Sequence, residues 1–315
     1  MPLFLGVDTS NYTTSTALFD SNSDTITQSK RLLPVKEGEL GLRQSDAVFH
    51  HTKQLPELLA TLFENADKSI SAIGVSTKPR NSEGSYMPCF LTGETVADSI
   101  GTISGVEVHK TSHQVGHILS ALYSCSRLDL VFEKKPFIAF HVSGGTTDCL
   151  LCTPDDEMVL DIKMLATSLD LKAGQAIDRV GLMMGLEFPC GKMLEQMALL
   201  SDNKFKIKPT IRDGNCCLSG VENQCRKMLD RGDLPYDVAL YCLKYVEATI
   251  DKMTEWAIEK SGNLPIIYAG GVMSDMLIRD TIASKYDAYF AEPSFSCDNA
   301  CGVALFAAIK EGYNG

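Results

Sequence analysis

Short apolar runs of strand length alternate with longer runs of helical periodicity along the 315-residue chain. Residues 3–7 predict a strand, which meets a hydroxyl-rich turn at 8–14 before the chain resumes as a second strand. Apolar residues recur at helical spacing over 51–65, and a long helix is predicted over about 236–260. Strands and helices that succeed one another in this way indicate an α/β fold.

The middle of the chain repeats the pattern of its beginning. Residues 136–142 predict a strand, 143–148 form a turn rich in Ser, Thr and Gly, and 149–152 predict a returning strand. Two such hairpins, each opening a half of similar length, indicate an internal duplication. Backbone N–H groups and small side chains in these turns would let a phosphate approach closely, which favours a nucleotide ligand.

A third glycine-containing turn lies near the C-terminus. A buried strand is predicted over 265–269, followed by Gly270 and Gly271 and then by a helix over 276–282. A strand, a glycine pair and a helix start suit a nucleotide, because the helix N-terminus is positive and the glycines clear the approach. A plain tight turn is the alternative, and these residues alone favour it.

Two histidines, His113 and His117, stand four residues apart at the head of an apolar run. On a helix this spacing places both imidazoles on one face, about one turn apart, as two ligands of one metal ion would be. Two solvated histidines near a helix start are the alternative, and spacing alone does not decide between them.

Composition restricts the partners that these motifs could serve. The formal net charge is −11, so a polyanion such as a nucleic acid would need a local basic patch. The eleven cysteines are spread through apolar segments, as expected in a reducing cytoplasm, and we interpret them as buried packing residues. No apolar run has the length of a membrane span, and the opening apolar run is too short for a signal sequence. We therefore expect a cytoplasmic protein with no membrane partner.

Taken in order, the motifs resemble one family, the tRNA N6-threonylcarbamoyladenosine transferases, formerly called sialoglycoprotein endopeptidases. The similarity covers nearly the whole chain. Residues 6–10 resemble the family's first phosphate turn, 113–117 its HxxGH metal motif, 142–145 its second phosphate turn and 269–272 its adenine-side loop. Cys297-Asp298-Asn299 resembles the Thr-Asp-Asn that supplies a distal metal ligand.

The resemblance implies a duplicated, two-lobed α/β fold of the actin-like ATPase (ribonuclease H-like) type, with a nucleotide cleft between the lobes. The first lobe would comprise residues 1–110, with the C-terminal helix at 298–315 packing back onto it. The second lobe would comprise residues 111–297.

The resemblance also implies the members of a site. His113, His117 and Asp298 would hold a divalent metal, Fe or Zn, since two histidines and one carboxylate suit either ion. ATP or an acyl-adenylate would be the nucleotide. The residues expected to bind it are Ser10, Val142, Ser143, Gly144, Gly145, Asp178, Gly191, Glu195, Gly270, Gly271 and Asp275. Gln114 stands where a metalloprotease would need a glutamate as general base, which argues against a peptidase.

Departures from the family pattern are concentrated among its acidic residues. Asn11-Tyr12-Thr13-Thr14 replaces Cys-Asp-Glu-Thr, Thr146 replaces a histidine, and Leu171-Lys172-Ala173-Gly174-Gln175 loses two carboxylates. Lys78-Pro79-Arg80 replaces a Gly-Pro-Gly loop, and Glu222 replaces a lysine. These changes remove candidate bases for an acceptor amine, and no catalytic residue is assigned. The chain has the pattern of a divergent paralogue.

Three functions remain open, of which the first is preferred. The protein could transfer a threonylcarbamoyl group to tRNA together with an adenylate-forming enzyme. It could instead carbamoylate a small molecule or a protein thiol, which the net charge and the lost carboxylates favour. It could also be a non-catalytic nucleotide-binding partner that pairs with the family enzyme through helices at 51–65 and 90–103. The sequence leaves open the metal, the acyl group, the acceptor, the effect of the lost carboxylates and the oligomeric state.

Overall fold

The computed structural model describes residues 2–10, 12–34, 42–64, 66, 69–296 and 300–315. The chain divides into two units. Unit 1 comprises residues 1–135, 154–161 and 294–315, and unit 2 comprises residues 136–153 and 162–293. Each unit is built on its own five-stranded sheet.

The sheet of unit 1 has the strand order β3-β2-β1-β4-β5. β1 pairs antiparallel with β2 and parallel with β4, and β2 and β4 pair with the outer strands. The strands are β1 Leu3–Ser10, β2 Thr13–Asp20, β3 Thr25–Leu32, β4 Ala72–Lys78 and β5 Glu107–Ser112. The helices of this unit are α1 Gln44–Leu62, α2 Phe90–Ser104, α3 His113–Ser124, α4 Asp129–Phe132, α10 Pro293–Ser296, at the boundary of the units, and α11 Ala300–Lys310.

Two glycines allow α11 to cross the sheet of unit 1 at close range. A Cβ on Gly6 would lie 2.0 Å from the Ala300 carbonyl oxygen, and one on Gly74 would lie 2.0 Å from that of Val303. The other face of β1 packs on α2, since a Cβ on Gly93 would meet Thr9 and Val7. This arrangement buries β1 on both faces, which accounts for the continuous apolar run over residues 3–7.

Unit 2 repeats the order with a second set of strands, β12-β11-β6-β7-β8. β6 pairs antiparallel with β7 and parallel with β11, as β1 does with β2 and β4. The strands are β6 Phe137–Val142, β7 Thr147–Asp155, β8 Val159–Thr167, β11 Ile266–Ala269 and β12 Ala288–Phe290, with a separate hairpin of β9 Thr210–Arg212 and β10 Asn215–Cys217. The helices are α5 Ala173–Met183, α6 Gly191–Ala198, α7 Ser219–Asp230, α8 Pro235–Ser261 and α9 Met276–Ala283. The matching strand orders confirm the predicted duplication and the α/β fold class.

The start of α1, the strand β3 and the unit to which α3 belongs differ from the predictions. α1 begins at Gln44, seven residues before the predicted start. β3 has no predicted counterpart, since it is an edge strand with mostly polar side chains. α3 lies in unit 1, whereas the sequence-based boundary at 110 assigned it to the second lobe. It packs on α11, where a Cβ on Gly302 would lie 1.8 Å from the Gly116 carbonyl oxygen.

Candidate functional site

The histidine pair lies at the start of α3, directly after the last residue of β5. Ser112 caps the helix, its hydroxyl oxygen accepting from the Val115 N–H at 3.3 Å. The rings of His113 and His117 are 4.6 Å apart between centroids and inclined at 73°. Both side chains are half-buried and share one helix face, which is the arrangement that their spacing predicts.

A buried carboxylate from β1 orients the first of these rings. Asp8 is 1% exposed, and its Oδ2 lies 2.9 Å from His113 Nδ1 and 2.6 Å from the Ser76 hydroxyl. Its Oδ1 accepts from the Ser10 N–H at 2.9 Å. Burial raises the pKa of Asp8, but the charge of His113 and these hydrogen bonds outweigh it and lower the pKa below its ordinary value. An ionised carboxylate accepts only, so His113 Nδ1 donates to it, and in the neutral ring the lone pair is then on Nε2.

Sequence reasoning placed Asp8 in a phosphate turn and assigned it no role at the histidines. The two residues are 105 positions apart, and only the parallel pairing of β1, β4 and β5 brings them together. Ser10, by contrast, was expected to bind phosphate. It is buried, and its N–H is already bonded to Asp8.

A second buried histidine lies beside the β1–β2 hairpin. Thr14 donates to Gln54 Oε1 at 2.7 Å, so its oxygen must accept from His51 Nδ1 at 2.8 Å. His51 is fully buried, and burial lowers its pKa to about 4. Its Nε2 has no hydrogen-bond partner among the described residues. Thr14 belongs to the run in which this chain departs from the family's acidic pattern, and the histidine behind it could not be foreseen from that motif.

The described residues supply part of the expected metal site. Two imidazoles on one face, one of them held by a carboxylate through its other nitrogen, have the donor arrangement usual for metal-binding histidines. Asp298 lies outside the described residues. Within residues 2–296 and 300–315, apart from the gaps given above, no group of three or more His, Cys, Asp or Glu side chains has metal-binding geometry.

In unit 2 the turn after β6 meets the first residues of α5. Ser143 Oγ accepts from the N–H groups of Gly145 and Thr146 at 3.2 and 3.1 Å, which closes the turn. A Cβ on Gly174 would lie 2.5 Å from the Gly144 nitrogen, so only glycine lets the helix start so close to the turn. Gly144 and Gly145 are exposed, with open space where a Cβ would be. An exposed turn beside a helix N-terminus suits an anion.

The adenine-side loop packs on the same turn. Gly270 has φ 100°, and a Cβ there would lie 2.2 Å from the Val142 carbonyl oxygen. Gly271 is exposed and begins a 3-10 turn that leads into α9. The backbone requires glycine at 270 for both its conformation and its contact, which distinguishes this loop from an ordinary strand-to-helix turn.

Three carboxylates of unit 2 bind backbone N–H groups near these turns. Asp178 accepts from the Cys190 N–H at 2.9 Å, just before α6 begins at Gly191. Glu195 accepts from the Met276 N–H at 2.7 Å, and Asp275 caps α9 by accepting from Ile278 N–H at 3.2 Å. Burial and the nearby charge of Glu195 raise the pKa of Asp275 to about 6. The contacts of Asp178 and Glu195 thus link α5 to the start of α6, and α6 to the start of α9.

The divergent positions Lys172 and Glu222, and Asp170 beside the first of them, form contacts within unit 2. Asp170 accepts from the N–H groups of Leu218 and Ser219 and from the Ser219 hydroxyl at 2.7, 3.1 and 2.6 Å. It thereby ties the start of α5 to the start of α7. Lys172 Nζ donates to the Ser168 carbonyl at 2.8 Å. Glu222, where the family has lysine, pairs with Arg179 and Arg226.

A solved structure shows the fold class of this chain. Component A of the (R)-2-hydroxyglutaryl-CoA dehydratase of Acidaminococcus fermentans superposes with a TM-score of 0.60 at 14% identity, covering 98% of this chain and 99% of that one. The chain therefore has the fold of the actin-like type that the resemblance implied, with two mixed α/β units.

The particular family follows from the sequence comparison. The model of the tRNA N6-adenosine threonylcarbamoyltransferase family (TsaD) matches residues 29–305, and the chain belongs to this family. The family enzyme of Francisella philomiragia is 28% identical over 333 residues, covering 98% of this chain and 94% of its own. That of Thermosipho africanus is 26% identical, with 96% and 92% covered. Among the described residues no helix has the length and apolar character needed to cross a membrane.

Proposed function

We propose that this protein transfers a threonylcarbamoyl group from an adenylate to N6 of an adenosine in tRNA. Membership of the family over residues 29–305 supports the reaction class. The observation that carries the proposal is the pair His113 and His117 on one helix face, with His113 oriented by buried Asp8. In the reaction the N6–carbon bond forms, the bond between the acyl carbon and the phosphate oxygen breaks, and AMP leaves while N6 loses a proton.

His113 and His117, with Asp298, would hold a divalent metal, Fe or Zn, and a bound metal would polarise acyl and phosphate oxygens. The residues present fit such an ion, because Asp8 fixes the His113 tautomer with Nε2 unprotonated. Asp8 also binds Ser76 and the Ser10 N–H, so one buried carboxylate joins β1, β4 and the start of α3. These contacts set the position of the imidazole before any ligand arrives.

The nucleotide, ATP or the acyl-adenylate, would use the connected turns of unit 2. The phosphate would lie at the exposed turn of Gly144 and Gly145 beside the start of α5, where helix dipole and backbone favour an anion. Gly271 and Asp275 would lie on the base and ribose side. Asp178 and Glu195 act chiefly by fixing the starts of α6 and α9, because each carboxylate already binds a backbone N–H.

The test is a transfer assay with a histidine variant as its reference. Purified protein, unmodified tRNA and an adenylate-forming enzyme supplied with threonine, bicarbonate and ATP are incubated, and tRNA nucleosides are analysed by mass spectrometry. We expect threonylcarbamoyladenosine with the wild type and none with the His113→Ala, His117→Ala variant, which should also lose its metal. Unmodified tRNA with the wild type, across a range of ionic strengths, would refute the proposal.

A second candidate is a binding role beside an active family enzyme. Phe49 on α1 and Leu91 and Ile103 on α2 are 58, 48 and 87% exposed, and large exposed apolar side chains on neighbouring helices favour a protein partner. If this role holds, the isolated chain is inactive but co-elutes with the family enzyme, and Ile103→Asp weakens the association. Transfer by the chain alone would exclude it.

A further inference from the structure

A stripe of basic side chains runs along one edge of unit 2. Over residues 204–212 every second residue is exposed and, with one exception, basic, whereas the apolar residues between them face inward. We call the exposed cations the basic stripe, which consists of Lys204, Lys206, Lys208 and Arg212. Its inward counterparts Phe205, Ile207 and Ile211 pack on the hydrophobic core of unit 2.

The segment that carries the stripe is anchored along α8. At one end Ser201 donates to Asp237 at 2.5 Å, and four residues further along both segments the rings of Phe205 and Tyr241 meet edge to face at 5.3 Å. At the other end Gly214 packs on the indole of Trp256, where a Cβ would lie 2.4 Å from the ring. The helix rises about 28 Å between the outer two anchors. The cations are therefore displayed on a fixed support along most of a long helix.

The stripe differs in charge from the rest of the protein. The chain has 40 acidic and 29 basic residues, yet residues 204–212 contain four cations and no carboxylate. Acidic residues stand only at its two ends, Asp202 and Asp213. None of the four cations makes an ion pair or hydrogen bond with a described residue. They form the local basic patch that a polyanion would require of a chain with net charge −11.

We propose that the basic stripe binds the phosphate backbone of RNA. Alternate residues of an extended strand are about 6.6 Å apart, so the stripe is at most about 26 Å long and offers cations in a regular row. The stripe itself presents no apolar or aromatic anchor, because those side chains point into the core. Protein interfaces depend on such anchors, whereas phosphate contacts need only cations. These contacts position an RNA without reading its sequence. The inference rests on the proposed function in taking tRNA as the RNA concerned.

Salt-dependent binding of tRNA tests this surface. In the full chain, Lys204, Lys206 and Lys208 are replaced by Gln, and affinity for labelled tRNA is measured between 50 and 200 mM salt. Each lost phosphate contact lowers the slope of log affinity against log salt by about 0.7–0.9. The wild type should therefore lose about 30-fold more affinity than the variant over this range. The control replaces three exposed lysines elsewhere, Lys53, Lys135 and Lys252, by Gln and removes the same charge.

A salt slope in the stripe variant equal to that of the wild type would overturn the proposal. An equal reduction of the salt slope in the control variant would also overturn it, because it would indicate attraction by net charge alone. Tighter binding of an acidic polypeptide than of tRNA would overturn it as well. Thermal unfolding of both variants verifies that the fold is intact.

The His113→Ala, His117→Ala variant should bind tRNA as the wild type does. If this variant and the wild type bind tRNA equally well but neither modifies it, the proposal for the stripe stands and the proposed reaction fails. If the wild type modifies tRNA and the stripe variant binds it equally well, only the stripe fails.

Discussion

Replacing Asp8 by Asn tests whether the carboxylate sets the chemistry of His113. The change preserves shape but removes the charge, and it places an amide donor where an oxygen now accepts from Ser76 and His113. His113 Nδ1 can then pair with the amide only as an acceptor, which moves the ring proton to Nε2. A protonated Nε2 cannot bind a metal ion until that proton is removed.

The expected magnitude follows from burial and from the bonds that are lost. Asp8 is 1% exposed and accepts three hydrogen bonds. Hydrogen bonds to a charged group contribute about 1.5–3 kcal/mol each, and the amide retains some of them. We expect the free energy of unfolding to fall by about 3 kcal/mol. Loss of a carboxylate behind a metal-binding histidine costs about 10–100-fold in metal affinity.

The assay is a competition titration of Zn(II) against a chromophoric chelator, with urea unfolding measured on the same samples. Asp148→Asn is the matched control, because Asp148 is a buried carboxylate of unit 2 that accepts from Thr167 at 2.6 Å. It should lower stability and leave metal affinity unchanged. Metal affinity of Asp8→Asn within about twofold of the wild type, with stability reduced in both variants, would refute the assigned role.

Further predictions concern the nucleotide turn and the pH dependence of stability. Gly174→Ala should weaken nucleotide binding by about tenfold or more, because its Cβ would lie 2.5 Å from the Gly144 nitrogen. Titration with a fluorescent ATP analogue measures this, with Gly220→Ala, whose Cβ would have room, as control. Asp275, with its pKa raised to about 6, stays protonated in the folded state where the unfolded chain ionises. Protonated Asp275 stabilises the folded state fully below pH 4, and this stabilisation is lost as the pH rises to 6. Asp275→Asn should therefore abolish a decline of about 2–3 kcal/mol in the free energy of unfolding. His51, with its pKa lowered to about 4, acts in the opposite direction. As the pH drops from 6.5 to 4, His51 is protonated in the unfolded chain before it is protonated in the folded protein, so stability falls. His51→Gln should remove this fall, as measured by urea unfolding at pH 6.5 and at pH 4.

The sequence by itself determined much of the fold. Two strand, turn, strand units with similar spacing predicted the duplication, and the strand orders β3-β2-β1-β4-β5 and β8-β7-β6-β11-β12 repeat it. The long helix expected over 236–260 is α8, Pro235–Ser261. These features rest on apolar periodicity and on turn residues, which are local properties of the chain. β3 was missed for the same reason, since a polar edge strand has little local signal.

The sequence also supplied the spacing of His113 and His117 and the glycine turns, because each is a short motif. Only the tertiary structure decided their surroundings. Asp8 reaches His113 because three strands pair in parallel, and Gly174 touches Gly144 because α5 starts against the turn. The cations of the basic stripe form an exposed row because the apolar side of their segment packs on the core of unit 2. Contacts between distant residues depend on pairing and packing of whole elements, which no local pattern encodes.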